Sequence, residues 1–304
     1  MARFPRPRVI VSRCLGFAHC RYNGQTIASD EVERLKPLVE FRPVCPELEL
    51  GLGVPRNPLR IVLVRKEPRL MQSLSERDLT AEMDRFADSF LSSIGEVDGF
   101  ILKSRSPSCG IKDVKLYSSL GKEGPMGIGT GLFGRAVLER FPHLAVEDEG
   151  RLTNFRIREH FLTKLFALAR FGEIKASPQM GALVQFQAEN KFLLMAYNQS
   201  ELAALGRIVA NAERRPLAQL MAEYEAHLWR ALARMPRYSS TINVLLHSLG
   251  YFSERLSSVK LPRDARALPR GEDPAECPTG DPPLLGGPLR GGVSPPADLL
   301  RAVS

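Results

Sequence analysis

The chain has 304 residues, a formal net charge of +8, and 44% apolar and 25% charged residues. These values are typical of a globular chain long enough for two domains, and no apolar run approaches the ~20 residues of a membrane-spanning helix. The five cysteines show no dense pairing pattern, and the N-terminus lacks the apolar stretch of a signal peptide. We therefore expect a cytoplasmic protein with reduced thiols and no membrane partner.

Strand and helix signals alternate along the first part of the chain. Apolar, β-branched runs predict strands at residues 7–11 and 99–102, and apolar residues at steps of three and four predict a helix over residues 78–94. Shorter helices are indicated at residues 30–38 and 129–140. Such alternation is typical of α/β units, so we predict an N-terminal Rossmann-like domain with a parallel sheet over residues 1–152.

The pattern changes near residue 150. Residues 153–262 read as one helix after another and hold 14 Lys and Arg against 8 Asp and Glu, which predicts a basic all-α domain. Its charge indicates a polyanionic partner, nucleic acid first, although ordinary solubility charge is the alternative. Residues 263–304 contain 8 Pro and 6 Gly, so we predict a disordered tail. Nothing in the sequence requires a protein partner.

Three cysteines share a local pattern. Cys14, Cys45 and Cys109 each follow a strand-like run and lie in a turn rich in Gly, Pro or Ser. Parallel strands end at one edge of a sheet, where α/β proteins place their ligands, so we expect the three thiols to meet there. Three thiolates suit an iron–sulfur cluster or zinc with one open position; a buried structural role is the alternative for each. Cys20 is interpreted as a spare thiol, and Cys277 falls in the tail.

Polar residues near these cysteines are candidates for chemistry. Glu47, two residues after Cys45, is the best placed general base, although it could simply begin a helix after a proline. Ser106 and Ser108 could donate hydrogen bonds to a substrate or only to their own turn. Lys103 and Arg21 could surround an anionic group with positive charge.

One glycine-rich stretch resembles a phosphate-binding loop only superficially. Residues 127–131 read Gly-Ile-Gly-Thr-Gly, but no Walker lysine follows and the spacing of a dinucleotide-binding loop is absent. We interpret the stretch as a loop that enters the helix at residues 129–140.

Residues 1–152 resemble the thiouracil desulfidase family. The resemblance lies in five segments in order: residues 11–16, 21–24, 44–47, 51–56 and 102–110. It implies a 4Fe–4S cluster held by Cys14, Cys45 and Cys109, with an open iron that binds a thiocarbonyl sulfur. It further implies that Glu47 positions or deprotonates the attacking water, as a catalytic residue with Ser106, and that Ser108 helps to hold the substrate. The reaction would be a non-redox hydrolysis of C=S.

The following residues resemble the YbgA-type helical domain that is fused to some members of this family. Residues 191–197 and 243–252 carry this likeness, and Asn23 also fits two-domain members; the likeness fades after residue 257. Fused proteins of this kind are similar to tRNA 4-thiouridine desulfidases, which implies thiolated tRNA as substrate and partner. Two alternatives stay open: a desulfidase of free thiouracil or another small thiolated compound, and a non-catalytic RNA-binding protein with a structural metal site.

Overall fold

The computed structural model describes residues 5–121 and 123–252, without the side chains of residues 250–252. The predicted tail at residues 263–304, its Cys277, and residues 253–262 of the predicted helical domain lie outside this range. The predicted fold class is confirmed for the part described: an α/β region with a parallel sheet comes first, and a helical region follows.

The main sheet has four parallel strands. They are β1 (Arg8–Ser12), β2 (Glu40–Val44), β5 (Gly99–Leu102) and β8 (Ala145–Asp148), in the order β2-β1-β5-β8. The order in which strands are added to the sheet reverses at β1. Strand β2 lies on one side of β1, and β5 lies on the other. This is the type of strand crossover at which α/β folds open a ligand crevice.

Helices cover both faces of this sheet. They are α1 (Asp30–Leu35), α3 (Thr80–Ser93) and α4 (Leu132–Arg140). Ile10 and Phe100 point into one core with α3 and α4, while Val9 and Val11 point into a second core with α1. The alternation follows from the two-residue period of a strand and explains why both faces of β1 are apolar.

A second sheet lies beside the first and was not predicted. Its strands are β3 (Leu59–Val64), β4 (Glu67–Gln72), β6 (Val114–Tyr117) and β7 (Gly127–Gly129), in the order β4-β3-β6-β7. Two of its three pairings are antiparallel, so the α/β region combines a parallel sheet with a mixed one. β7 also occupies the start of the helix predicted at 129–140.

The second half of the described chain is helical, as predicted. Its helices are α5 (Phe155–Ala176), α6 (Met180–Glu189), α7 (Lys191–Tyr197), α8 (Gln199–Ala210), α9 (Leu217–Ala231) and α10 (Tyr238–Phe252). Leu183, Phe186, Leu205 and Tyr224 are fully buried in its core. Among the residues at 5–121 and 123–252, no helix is both long and apolar enough to cross a membrane.

Helix α5 belongs to both regions. Phe161 and Leu165 in its first half pack into the core on the α1 side of the main sheet. Leu168 and Phe171, less than two turns further on, pack into the core of the helical region. The boundary predicted at 152/153 therefore precedes a helix whose two halves serve different cores.

Candidate active site

The ends of three neighbouring strands form the floor of the site. Ser12 at the end of β1 pairs with Val44 at the end of β2, and β5 runs in register on the other side. Cys14 and Cys45 follow these strand ends directly, and Cys109 lies in the turn after β5. All three line one cavity of about 350 Å³, as expected from the common edge of parallel strands.

A fourth thiol lies in the same cavity. Cys20 is fully buried and lines the cavity together with Cys14, Cys45 and Cys109. A hydrogen bond with the Cys14 thiol is the main reason why the pKa of Cys20 is raised to about 11. Cys20 was interpreted only as a spare thiol, not as a neighbour of the predicted ligands. It lies in an irregular loop, where residue spacing does not indicate which side chains come together.

The environment keeps the thiols of Cys45 and Cys109 protonated in the absence of a metal. The pKa of Cys45 is raised, first by its hydrogen bond with the Cys20 thiol and then by burial. Burial raises the pKa of the Cys109 thiol to about 12, although a hydrogen bond with the Ser12 hydroxyl opposes the shift. A metal centre that binds these sulfurs must therefore displace their protons.

The arrangement suits a cluster better than a single ion. Three thiols on one wall are soft donors of the kind that hold iron–sulfur clusters. Within residues 5–121 and 123–252, no three His, Cys, Asp or Glu side chains lie close enough together to form a ready-made site for a metal ion. A four-iron cluster contacts its cysteines through different irons, so its ligands lie further apart than those of one zinc ion.

Glu47 is held firmly at the cavity. It lies in the first turn of the short helix α2 (Pro46–Glu49), which follows Cys45 directly. Its Oε2 accepts hydrogen bonds from Arg56 Nε at 2.8 Å and Nη2 at 2.5 Å, and its Oε1 accepts one from the Ser108 hydroxyl at 2.7 Å. The Arg56 side chain is 3% exposed and that of Glu47 13%. The carboxylate is fixed in position, yet it keeps lone-pair sites for a further donor.

The two predicted serines form a chain of hydroxyls that ends on Glu47. Ser106 Oγ lies 3.0 Å from Ser108 Oγ, and Ser108 in turn bonds to Glu47. Ser106 Oγ also accepts the backbone N–H of Cys109 at 3.1 Å. Ser106 therefore shapes the cysteine turn, as its alternative interpretation suggested, and also connects to the carboxylate.

The glycine-rich stretch before α4 holds this turn in place. Gly131 N donates to Gly110 O at 2.6 Å, and Gly134 N donates to Ser108 O at 3.0 Å. A Cβ at Gly134 would lie 2.5 Å from Gly110 O and 2.7 Å from Cys109 O, which is closer than atoms can pack. The N–H groups of Gly131 and Gly134 thus fasten the Cys109 turn to α4. Residues 130–131 enter that helix as interpreted, but Gly127–Gly129 form strand β7 and not the predicted loop.

Most of the cations that line the cavity are neutralised. Arg13 pairs with Glu49, Arg56 with Glu47, and Lys103 with Glu149. Lys103 Nζ also donates to the hydroxyl and the carbonyl of Ser104. The ammonium of Lys103, predicted to bind substrate, is thus engaged by the protein itself.

All predicted site residues line this one cavity. They are Cys14, Cys45, Cys109, Glu47, Ser106, Ser108, Lys103 and Arg21. Their assigned roles as ligands, catalytic groups and substrate contacts stay predictions.

Sequence reasoning missed three further residues. Arg56 lies in a loop without periodicity, and only its contact with Glu47 reveals it. Ser12 is a fully buried hydroxyl that contacts Cys109 and accepts the backbone N–H of Lys103 at 2.8 Å. Its position as a polar residue at the end of an apolar strand was the signal in the sequence that could have identified it. Cys20 is the third.

Comparison with known proteins gives two matches along the chain. A family model described as 2-thiouracil desulfurase matches residues 9–149. A second model, described as a protein of unknown function (DUF1722), matches residues 191–261. The first match contains all of the predicted site residues, and the second falls in the helical region.

Individual proteins match the first of these regions. The solved structure of the [4Fe-4S]-dependent thiouracil desulfidase TudS is 31% identical, with a TM-score of 0.40, over 49% of this chain and 94% of that one. The uncharacterized protein YbbK of Bacillus subtilis (strain 168) is 35% identical over 109 residues, which are 34% of this chain and 72% of YbbK. With this relative and the family match at residues 9–149, the chain belongs to the 2-thiouracil desulfurase family, and a DUF1722 domain follows its family region.

Proposed function

We propose that this protein is an iron–sulfur-dependent desulfidase that converts 4-thiouridine in tRNA to uridine and sulfide. The family is one of desulfidases, and the family neighbour TudS is named as [4Fe-4S]-dependent. The observation that carries the proposal is the single cavity in which three cysteines from three strand ends meet Glu47 and Ser108.

Cys14, Cys45 and Cys109 are the residues that would hold a 4Fe–4S cluster. When bound by three cysteines, such a cluster supplies an iron with an open position, a Lewis acid for a soft thiocarbonyl sulfur. Ser12 would support this set, because its hydroxyl already contacts Cys109.

Glu47 is the general base in this proposal. One oxygen is held by Arg56 and the other by Ser108, so the carboxylate faces the cavity in one orientation. It accepts a proton from water as the water oxygen forms its bond to the thiocarbonyl carbon. The C–S bond then breaks, both water protons leave with the sulfur as H₂S, and no electron is gained or lost. Ser106 and Ser108 provide a hydroxyl route for returning the proton.

The tRNA substrate is supported by the charge of the helical region. Lys191, Arg207, Arg214, Arg234 and Arg237 are exposed there and have no carboxylate partner within residues 123–252. Arg158 and Arg215 instead pair with Glu31 and Glu223, and Lys164 is buried. The remaining exposed cations would bind phosphates and offset the cost of unstacking the thiolated base.

A free thiolated base is the second candidate, because a cavity of about 350 Å³ can hold one pyrimidine. The test is anaerobic reconstitution with iron and sulfide, followed by incubation with thiolated tRNA or with free 4-thiouracil. We expect sulfide release and loss of 4-thiouridine from the tRNA, measured by mass analysis of its nucleosides. Turnover of the free base alone would contradict the tRNA substrate, and a protein that releases no sulfide from either would contradict the activity.

A further inference from the structure

Two arginines that line the cavity are left without a carboxylate. Arg21 and Arg105 have no ion pair within residues 5–121 and 123–252, unlike the other three cations of the cavity. They come from different loops, one after β1 and one after β5. The cavity therefore carries two positive charges that the protein itself does not neutralise, which is the arrangement expected of an anion-binding site.

Arg105 adopts a backbone conformation that disfavours its residue type. Its φ is +57°, in the left-handed region where only glycine is at ease. Its side chain is exposed and makes no hydrogen bond within the described part of the chain. The Arg105 guanidinium is therefore free to contact a ligand in the cavity that it lines.

An exposed aromatic ring lies beside these charges. Tyr22 lines the same cavity, yet 42% of its surface is exposed. Its carbonyl accepts the backbone N–H of Arg56 at 2.9 Å, and Gly24 N donates to Arg21 O at 2.9 Å, so the loop beneath the ring is fixed. The Arg21 guanidinium lies 5.7 Å from the ring centroid. The ring is thus carried by a fixed loop, and much of its surface is accessible to a ligand.

We propose that Tyr22, Arg21 and Arg105 form a binding site for the nucleotide next to the thiolated base. The buried cysteines and Glu47 take the reacting base at the floor of the cavity, so the exposed ring of Tyr22 stacks on the neighbouring base. The two unpaired arginines bind the phosphate that links the two nucleotides. A neutral free base has no phosphate, so its binding is not strengthened by this site. The site would therefore select a thiolated base within an RNA strand.

This inference rests on the proposed desulfidase activity and is tested with three substrates. They are free 4-thiouracil, 4-thiouridine 5′-monophosphate and a short RNA that contains one 4-thiouridine. Arg105→Ala should lower kcat/KM for both phosphate-bearing substrates about tenfold and leave free 4-thiouracil unchanged. Tyr22→Ala should lower kcat/KM for the RNA roughly 5- to 150-fold, the range for loss of one stacked base, and Tyr22→Phe should retain it.

Matched controls exist in the same chain. Arg65 is exposed, lies outside the cavity, and has a positive φ of 51° like Arg105. Arg65→Ala removes the same charge and should change kcat/KM by no more than about twofold for any of the three substrates. Tyr238 is 73% exposed on α10, so Tyr238→Ala is the matched control for Tyr22→Ala.

Binding of an unmodified RNA of the same sequence, followed by fluorescence anisotropy, gives a readout that does not depend on turnover. Arg105→Ala and Tyr22→Ala should weaken this binding by the factors given above. Two results would overturn the proposed site while leaving the desulfidase activity in place. One is an equal loss of kcat/KM on free 4-thiouracil, and the other is an effect no larger than that of Arg65→Ala or Tyr238→Ala. Absence of sulfide release from every substrate would instead overturn the proposed function.

Discussion

Arg56 donates two hydrogen bonds to a single oxygen of Glu47, through Nε at 2.8 Å and Nη2 at 2.5 Å. The same Nη2 donates to Cys20 O at 3.0 Å, and Nη1 donates to Gly53 O at 2.9 Å. One buried guanidinium thus ties the carboxylate to the loop that carries Cys20. The consequences of this connection can be measured.

Replacement of Arg56 by Met should lower the free energy of unfolding by roughly 3–5 kcal/mol, because it leaves the carboxylate of Glu47 buried without its partner. The double variant Arg56→Met with Glu47→Gln should be less destabilised than the sum of the two single variants, because it removes both charges. Urea unfolding of all four proteins measures this coupling. Additive losses would show that the pair contributes no interaction energy.

Glu47→Gln should preserve the fold and bound iron but reduce sulfide release about 10²- to 10⁴-fold, the usual contribution of a general base. The amide oxygen can still accept from Arg56, and the amide NH2 can donate to the Ser108 hydroxyl, so the site stays assembled. Sulfide release at saturating 4-thiouracil and iron content per chain should be measured on the same sample. Full turnover with normal iron would remove Glu47 from the mechanism.

The four cysteines of the cavity should differ in iron binding. Cys14→Ala, Cys45→Ala and Cys109→Ala should each lose the reconstituted cluster, measured as iron and acid-labile sulfide per chain with the visible absorption. Cys20→Ala is the matched control, since Cys20 is buried in the same cavity but is not a predicted ligand. Retention of a full cluster by any of the first three would exclude that residue as a ligand.

Gly134→Ala should destabilise the protein by about 1–3 kcal/mol and lower its iron content, because the added methyl group collides with the carbonyls of Cys109 and Gly110. Gly172 is a glycine of helix α5 with nothing within 4 Å of an added Cβ. Gly172→Ala should therefore stabilise the protein by about 0.5–1 kcal/mol. Thermal unfolding and iron content of the two variants separate a clash at the cysteine turn from a general effect of the substitution.

His160 predicts a pH dependence of stability. Burial, and secondarily the charge of Lys164, lowers the pKa of His160 to about 4, from about 6.5 when unfolded. The unfolded chain thus binds more protons between these values, so stability is complete above pH 6.5 and is lost as the pH falls toward 4.

The variant His160→Gln tests this dependence, since its amide can still bond to the Tyr197 hydroxyl, which lies 3.1 Å from His160 Nδ1. The loss of unfolding free energy between pH 7.5 and pH 5, measured with urea, should be smaller in the variant than in the wild type. An identical loss in both proteins would contradict the assignment.

Local sequence patterns were sufficient to predict much of the main sheet and the helix that covers it. The strand at 99–102 has the predicted bounds, and the helix predicted at 78–94 spans Thr80–Ser93, because apolar residues at steps of three and four fix the buried face. The convergence of Cys14, Cys45 and Cys109 followed from parallel strand order alone.

The second sheet escaped prediction for identifiable reasons. Pro68 lies inside β4, where proline argues against a strand. The turn before it uses Arg65 and Lys66, both with positive φ, in place of the Asn and Gly that signal a hairpin. Arg56 was missed as a site residue because its importance lies in a long-range contact that no spacing encodes.

The division of α5 between two hydrophobic interiors has a consequence for the evolution of this protein. Phe161 and Leu165 cover apolar residues of β1 and β5, so the enzyme part takes some of its own interior from the segment that follows it. A chain shortened at residue 153 would leave that surface open to solvent and prone to aggregation. Loss of the second half in evolution would therefore require a new covering segment for the first.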